Sequence, residues 1–213
     1  MKYQYIRENV LHASLESSRL GLIHGTSGNI SMRDDKDDVI AITPSGIPYE
    51  ELSPKDIVIV DLKGTVIDGS FKPSSETPMH TAVYRSRKDI KVVVHTHSLF
   101  ATVMSMSMQT LKTATVPSCI YSPIPVAPFE MPGSEELAQS AVKTLGKSLD
   151  VILLQNHGLL ATGPNMETAM SCAIYTEECA QVCYYALAIP NASYIPVETA
   201  KKIQANVKSG GSA

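Results

Sequence analysis

Two histidines separated by one residue, His95-Thr96-His97, follow the apolar run Val92-Val93-Val94. On a strand, residues two apart project from the same face, so an extended segment brings both imidazoles towards one point. A third, His157, stands in the turn Asn156-His157-Gly158, directly after another apolar run, Val151-Ile152-Leu153-Leu154. Three neutral imidazoles suit a zinc-type divalent cation and leave a coordination position open for substrate. The alternative is two surface histidines at a strand end and one in a loop, and His-x-His alone does not exclude it. Six histidines occur in all, at 12, 24, 80, 95, 97 and 157.

Ser74-Ser75-Glu76 reads as a helix N-terminus, where free backbone N–H groups attract anions. Glu76 is then a first-turn charge favoured by the helix dipole, a carboxylate ligand of the cation, or a proton carrier. Gly25-Thr26-Ser27-Gly28-Asn29 and Thr43-Pro44-Ser45-Gly46 offer hydroxyls, an amide and glycine-exposed N–H groups that suit a phosphate without a lysine. Neither fits the P-loop or a dinucleotide fingerprint. Cys172, Cys179 and Cys183 recur at spacings of seven and four, on one helix face. They read as buried small hydrophobes rather than as a second metal cluster.

Positioning these groups requires helices and strands in alternation. Tyr3 to Leu20 carries apolar residues at mostly helical spacing and stops at Gly21. Short strands are expected at Asn29 to Arg33, Val39 to Thr43, Ile57 to Asp61 and Val66 to Ile67, with a helix from Thr77 to Tyr84. Lys91 to His97 is β-branched and strand-like; Leu99 to Met108 reads as a helix. Thr115 to Val126 carries three prolines and reads as loop or edge strand. A helix from Gly133 to about Leu149 precedes a buried strand, Val151 to Gln155, and its hairpin partner, Leu159 to Thr162. A long helix spans Met166 to Ala188. The pattern predicts one α/β domain over 1–213, with a mainly antiparallel sheet covered by helices and a flexible tail from about 207.

The chain has 213 residues, 44% of them hydrophobic, and a formal charge of -3. Such a domain buries roughly 70% of its extended-chain surface and needs no disulfide staples. The near-neutral charge gives no electrostatic reason to expect nucleic acid or an anionic membrane as partner. No apolar run approaches the ~18 residues of a membrane span, and the N-terminus lacks a signal-peptide region. The cytoplasm is the expected compartment.

Taken in order, Gly25-Thr26-Ser27-Gly28-Asn29, Thr43-Pro44-Ser45-Gly46, Ser74-Ser75-Glu76, His95-Thr96-His97 and Asn156-His157-Gly158 resemble the class II aldolase/adducin family, in its L-fuculose-1-phosphate aldolase branch. The resemblance implies an α/β/α fold around an antiparallel sheet and a cyclic homotetramer with active sites between neighbours. It implies a zinc ion, with manganese as the other candidate, on His95, His97 and His157, and Glu76 as fourth ligand when substrate is absent. It also implies phosphate recognition by Thr26, Gly28, Asn29, Thr43, Ser45, Gly46, Ser74 and Ser75. A tyrosine delivered from an adjacent subunit falls at Tyr121. Similar aldolases carry a tyrosine near the C-terminus that helps select the aldehyde; here the stretch reads Val207-Lys208-Ser209-Gly210-Gly211.

The chemistry implied is cleavage of a ketose 1-phosphate between its third and fourth carbons into dihydroxyacetone phosphate and a small aldehyde. Tyr121 would take the fourth-carbon hydroxyl proton. Glu76 would protonate the third carbon, a task suited to a carboxylate whose pKa is raised by burial. Lactaldehyde, from L-fuculose 1-phosphate, and acetaldehyde, from a 5-deoxypentulose 1-phosphate, are the candidate aldehydes. A pentulose-phosphate 4-epimerase resembles this chain except for an aspartate where Glu76 stands. A methylthioribulose-1-phosphate dehydratase is the nearer rival. A non-catalytic adducin-like binding domain would be expected to lack the histidines.

Overall fold

Residues 1–107 and 109–210 are described in the computed structural model. In chain order they form α1 (Gln4–Arg19), β1 (Asn29–Arg33), β2 (Val39–Ile42), β3 (Val58–Asp61), β4 (Val66–Asp68), α2 (Thr77–Ser86), β5 (Val92–Thr96), α3 (Leu99–Ser105), β6 (Val126–Ala127), α4 (Glu135–Leu145), β7 (Val151–Leu154), β8 (Gly158–Gly163), α5 (Met166–Ala186) and α6 (Val197–Lys208). Eight strands make one sheet in the order β4-β3-β2-β1-β5-β8-β7-β6. Every pairing is antiparallel except β6 with β7. The mainly antiparallel α/β/α architecture is thus the one expected, with one parallel pair at its edge.

Strand alternation assigns the two faces. Ile30, Met32, Val92, Val94, Leu159 and Ala161 pack with α1 and α5 through Ile6, Val10, Ala173 and Ala180. Ile40, Ile42, Val93, Ile152 and Leu160 face the other way, onto α2 and α4 through Met79, Val83, Leu137 and Ala141. Every residue of the central strand β5 is buried. A one-residue slip would exchange its two faces, so burial on both sides fixes the register. Each fully buried Val, Ile or Leu contributes about 1.5–3 kcal/mol.

Several boundaries differ from expectation. β5 ends at Thr96, so His97 stands just past the ladder. α3 stops at Ser105, and Met108, the expected end of that helix, lies outside the described residues. The proline-rich segment contains a short 3-10 turn, Pro117–Tyr121, before edge strand β6. α6 was not expected; it continues through residues 207 and 208, and the end of the expected tail, residues 211–213, lies outside the described residues. No helix among the described residues is long and apolar enough to cross a membrane.

Candidate active site

The site forms where β5, β8 and the start of α2 meet. β5 is antiparallel to β8, with His95 opposite Leu160 and Thr96 opposite Leu159. Gly158, at the head of β8, lies against β5 so closely that a Cβ there would come within 2.1 Å of the Thr96 carbonyl oxygen. A Cβ on Gly28, which has φ of +100°, would meet the His95 carbonyl oxygen at 2.8 Å. Both glycines let neighbouring loops press on the histidine strand from its two sides. Beyond His97, the Glu177 carboxylate accepts the N–H groups of Phe100 and Ala101 at 2.9 and 2.7 Å, satisfying the first turn of α3. The positions of His95 and His97 are therefore fixed by contacts on every side.

The three imidazoles stand mutually edge-on, with ring centroids 4.7–5.0 Å apart. His95 Nδ1 donates to the Leu159 carbonyl at 2.8 Å, which directs Nε2 inward. That Nε2 lies 3.1 Å from His97 Nε2 and 2.9 Å from Glu76 Oε2, while His157 Nε2 lies 3.3 Å from Glu76 Oε1. One ligand atom from each of Glu76, His95, His97 and His157 falls within 4.8 Å of the others. Glu76 Oε1 is buried without a hydrogen-bond donor. Lone pairs packed this closely repel unless a positive charge sits among them. The arrangement fits a divalent cation, for which three imidazoles and a carboxylate are an ordinary donor set.

Burial alone pushes the Glu76 carboxyl up, but the charge and hydrogen bond of His95, the Asn29 amide and His157 outweigh it and hold the carboxyl well below the carboxylate range. Burial likewise pushes His95 down, and Glu76 together with the Leu159 carbonyl reverses that and raises it. Burial and the His95 charge lower His97 and His157 to about 4. In the metal-free site, then, the histidine cluster outweighs the burial that would raise Glu76.

Beside the cluster opens a cleft of about 350 Å³ whose wall includes Thr26, Gly28, Asn29, Ser45, Gly46, Ser74, Ser75, Glu76, His97 and His157. Seven of the eight residues expected at the phosphate thus line one cavity with three of the four metal-ligand candidates, Glu76, His97 and His157. Tyr49 donates to the Gly28 carbonyl at 2.7 Å and ties down the first of these loops. Thr43 is the exception. It is fully buried, and its hydroxyl accepts the Ile30 N–H at 3.3 Å while its carbonyl accepts the Ser74 N–H at 3.0 Å. It braces the loops instead of facing the cleft. Ser27, Pro44 and Asn156, from the segments singled out in the sequence, also line the cavity, and so do Phe129 and Pro132, which were not anticipated. Asn156 has φ of 54° beside His157, the left-handed conformation that asparagine tolerates.

Tyr121 is not brought to this site. Its ring packs into the core on the α1/α5 side, 8% exposed, with Cys172, Tyr175 and Asp150 nearby. Asp150 precedes β7 and His157 follows it, so Tyr121 sits at the strand's opposite end.

Comparison with known proteins bears on this arrangement. The family described as Class II Aldolase and Adducin N-terminal domain matches residues 8–184. The chain is 37% identical over 199 residues to 5-deoxy-D-ribulose 1-phosphate aldolase of Bacillus thuringiensis serovar kurstaki, covering 92% of each chain. It is 37% identical over 196 residues to L-fuculose phosphate aldolase of Escherichia coli K12, covering 89% of this chain and 87% of that one. A solved structure of L-fuculose 1-phosphate aldolase superposes with a TM-score of 0.92 at 30% identity, covering 98% of both chains.

Proposed function

The chain belongs to the class II aldolase and adducin family, and from that premise we propose that it is a metal-dependent aldolase acting on a ketose 1-phosphate. The products are dihydroxyacetone phosphate and a small aldehyde. The observation that carries the reading is the convergence of Glu76, His95, His97 and His157 beside a cleft walled by hydroxyls and glycines. L-fuculose 1-phosphate and a 5-deoxypentulose 1-phosphate are the two substrates of choice, in keeping with relatives named for each.

His95, His97 and His157 would hold the cation, zinc or manganese, with Glu76 as fourth ligand when no substrate is present. When bound, the cation supplies Lewis-acid stabilisation of the negative charge that cleavage places next to the carbonyl. The protein's own groups do the rest. Hydroxyls of Thr26, Ser45 and Ser75, with the Asn29 amide, orient the phosphate; such orientation is worth several kcal/mol of barrier in well-positioned systems. As the bond between the third and fourth carbons breaks, the fourth-carbon hydroxyl loses its proton and becomes the aldehyde. The electron pair passes to the three-carbon fragment, and Glu76, ionised at rest, takes up a proton from water and passes it to the third carbon. In synthesis Glu76 removes that proton.

We place the cleft between subunits of a homotetramer. In support, Phe129 on its wall and Met131 beside it are 47% and 66% exposed, more apolar surface than a free rim would keep. The base for the fourth-carbon hydroxyl then comes from a neighbouring copy, and Tyr121, remote from the cleft of its own subunit, is the residue we carry to that role. Four free, buried cysteines suit the cytoplasm.

A panel of ketose 1-phosphates with coupled detection of dihydroxyacetone phosphate tests the reading. Release of dihydroxyacetone phosphate with lactaldehyde or acetaldehyde is the expected result. Loss of water with the carbon chain intact, or inversion at the fourth carbon, would replace it with the dehydratase or epimerase.

A further inference from the structure

Behind Glu76 runs a file of buried polar groups of which the proposed chemistry uses only the first, Asn29. β1 turns Asn29 and Ser31 towards α2, and α2 answers with His80 and Tyr84, four and eight residues beyond Glu76 on the same helix face. Ser31, His80 and Tyr84 are fully buried, and Asn29 and Glu76 are 5% and 4% exposed. Asn29 Nδ2 donates to Glu76 Oε2 at 3.0 Å, and His80 Nε2 meets Asn29 Oδ1 at 2.6 Å. Ser31 Oγ meets His80 Nδ1 at 2.6 Å and the Tyr84 hydroxyl at 2.8 Å, and that hydroxyl also lies 3.0 Å from the Ser31 carbonyl.

Chemistry assigns a donor at each link. An ionised Glu76 only accepts, so the Asn29 amide must turn its NH2 to the carboxylate and its oxygen to His80. His80 Nε2 therefore carries the proton and donates. The ring is fully buried and meets the neutral Ser31 hydroxyl and Asn29 amide rather than a carboxylate, so it is neutral and its Nδ1 is an acceptor, filled by the Ser31 hydroxyl. A flipped Asn29 would set its oxygen against the carboxylate and an N–H against the N–H of His80. The amide also has a second hydrogen, and Asn29 lies on the cleft wall. One amide thus serves both the carboxylate and the space assigned to the phosphate.

We propose that His80 is a positioning residue which, through Asn29, fixes where the Glu76 carboxylate sits and so sets the rate of proton transfer without touching substrate. The inference rests on the reading of Glu76 as proton carrier. A plain structural role would need only a packed apolar residue here, beside Met79 and Val83, and would spare the cost of burying an imidazole. Ser31 and Tyr84 hold the tautomer that makes His80 a donor towards Asn29.

Two substitutions separate positioning from packing. In His80→Gln the side-chain amide nitrogen takes the place of Nε2 and can still donate to Asn29. In His80→Asn the amide reaches only as far as Nδ1, keeping Ser31 and losing Asn29. Both remove the ring, so their urea midpoints should fall alike. The Co2+-loaded proteins are compared by visible absorption and by the kcat of proton exchange at the third carbon of dihydroxyacetone phosphate. His80→Asn should shift the absorption bands and lower kcat roughly 10- to 100-fold, while His80→Gln keeps the bands and stays within about threefold of the starting protein. Equal spectra and equal kcat in the two variants would overturn the proposal. If the starting protein shows no exchange, it is the aldolase reading that fails, and the spectra still decide the positioning role. Should either variant not fold, 15N NMR of the His80 ring in the unaltered protein decides: a neutral ring protonated at Nε2 supports the proposal, and protonation at Nδ1 or at both nitrogens overturns it.

Discussion

Two clusters of potential metal ligands lie on opposite faces of the sheet, and only one is built to hold a cation. On the α2 face, Glu76 and three histidines turn their lone pairs towards one point, with one ligand atom from each within 4.8 Å of the others. On the other face, Cys119, Cys172, Cys179 and Cys183 are free, buried and packed into the core. Each thiol there donates to a nearby carbonyl: Cys172 to Asp150, Cys179 and Cys183 to Lys112, Cys119 to Thr115. Burial pushes Cys119 and Cys172 up, away from the thiolate a metal requires, while Cys179 is lowered by hydrogen bonds from Cys183 and Ser118, groups of the fold itself. Ligand residue types at helical or strand spacing are common to both faces. What separates them is whether the lone pairs converge or the groups are satisfied locally.

The largest expected effects sharpen this contrast. His95→Ala or His157→Ala should lose the bound metal and lower turnover by at least about 10³-fold, because Lewis-acid stabilisation is worth several kcal/mol. The double variant Cys179→Ala/Cys183→Ala should keep one metal per chain and lose only stability, roughly 1–3 kcal/mol, by urea titration. Metal loss in the cysteine variant would erase the distinction. Next, Glu76→Gln should keep the metal on its three histidines while proton exchange at the third carbon falls about 10²- to 10⁴-fold; unchanged exchange would remove Glu76 as the proton carrier.

Smaller effects probe how rigidly each face is held. Gly158→Ala forces a Cβ onto the Thr96 carbonyl and should cost roughly 1–3 kcal/mol together with metal affinity. Cys172→Ala should cost about 1 kcal/mol in urea unfolding and leave metal affinity unchanged. Acid also tells the faces apart. His80, His97 and His157 are lowered to about 3, 4 and 4 from an ordinary 6.5, so the unfolded chain binds protons that the metal-free fold refuses. Their effect is a loss of stability as pH falls below about 6.5. Glu76, lowered, adds to the loss once pH drops below its ordinary 4.5; His95, raised, acts oppositely, its stabilisation present in acid and lost as pH rises through its folded value. The urea midpoint of metal-free protein should therefore fall from pH 7 to pH 4, and bound metal should delay that fall. A flat midpoint would mean the cluster is more hydrated than its burial indicates.

Much of the active face was legible in the sequence because its residues are grouped in short segments. His-x-His after an apolar run, and His157 after another, mark strand ends by periodicity alone. Other features depend on contacts distant along the chain. Thr43 shares a loop with Ser45 and Gly46 but turns inward, which only its bonds to Ile30 and Ser74 reveal. Glu177 caps α3 from 77 residues away. Tyr121 sits in a proline-rich segment whose packing gives no local signal. α6 escaped notice because its inward stripe is weak: Ala200 is the buried residue of the stripe, and Gln204 contributes through its bond to the Ile120 carbonyl. His80 did leave a trace. Glu76, His80 and Tyr84 recur at intervals of four among apolar neighbours, a polar seam on a helix that is otherwise packed.

The most direct measurement is a Co2+ titration of metal-free protein followed by visible absorption. One equivalent per chain should bind, the bands should vanish in His95→Ala, and they should remain unaltered in Cys179→Ala/Cys183→Ala. Binding that survives loss of His95, or that disappears with the cysteines, would show that the cation does not lie among the three imidazoles.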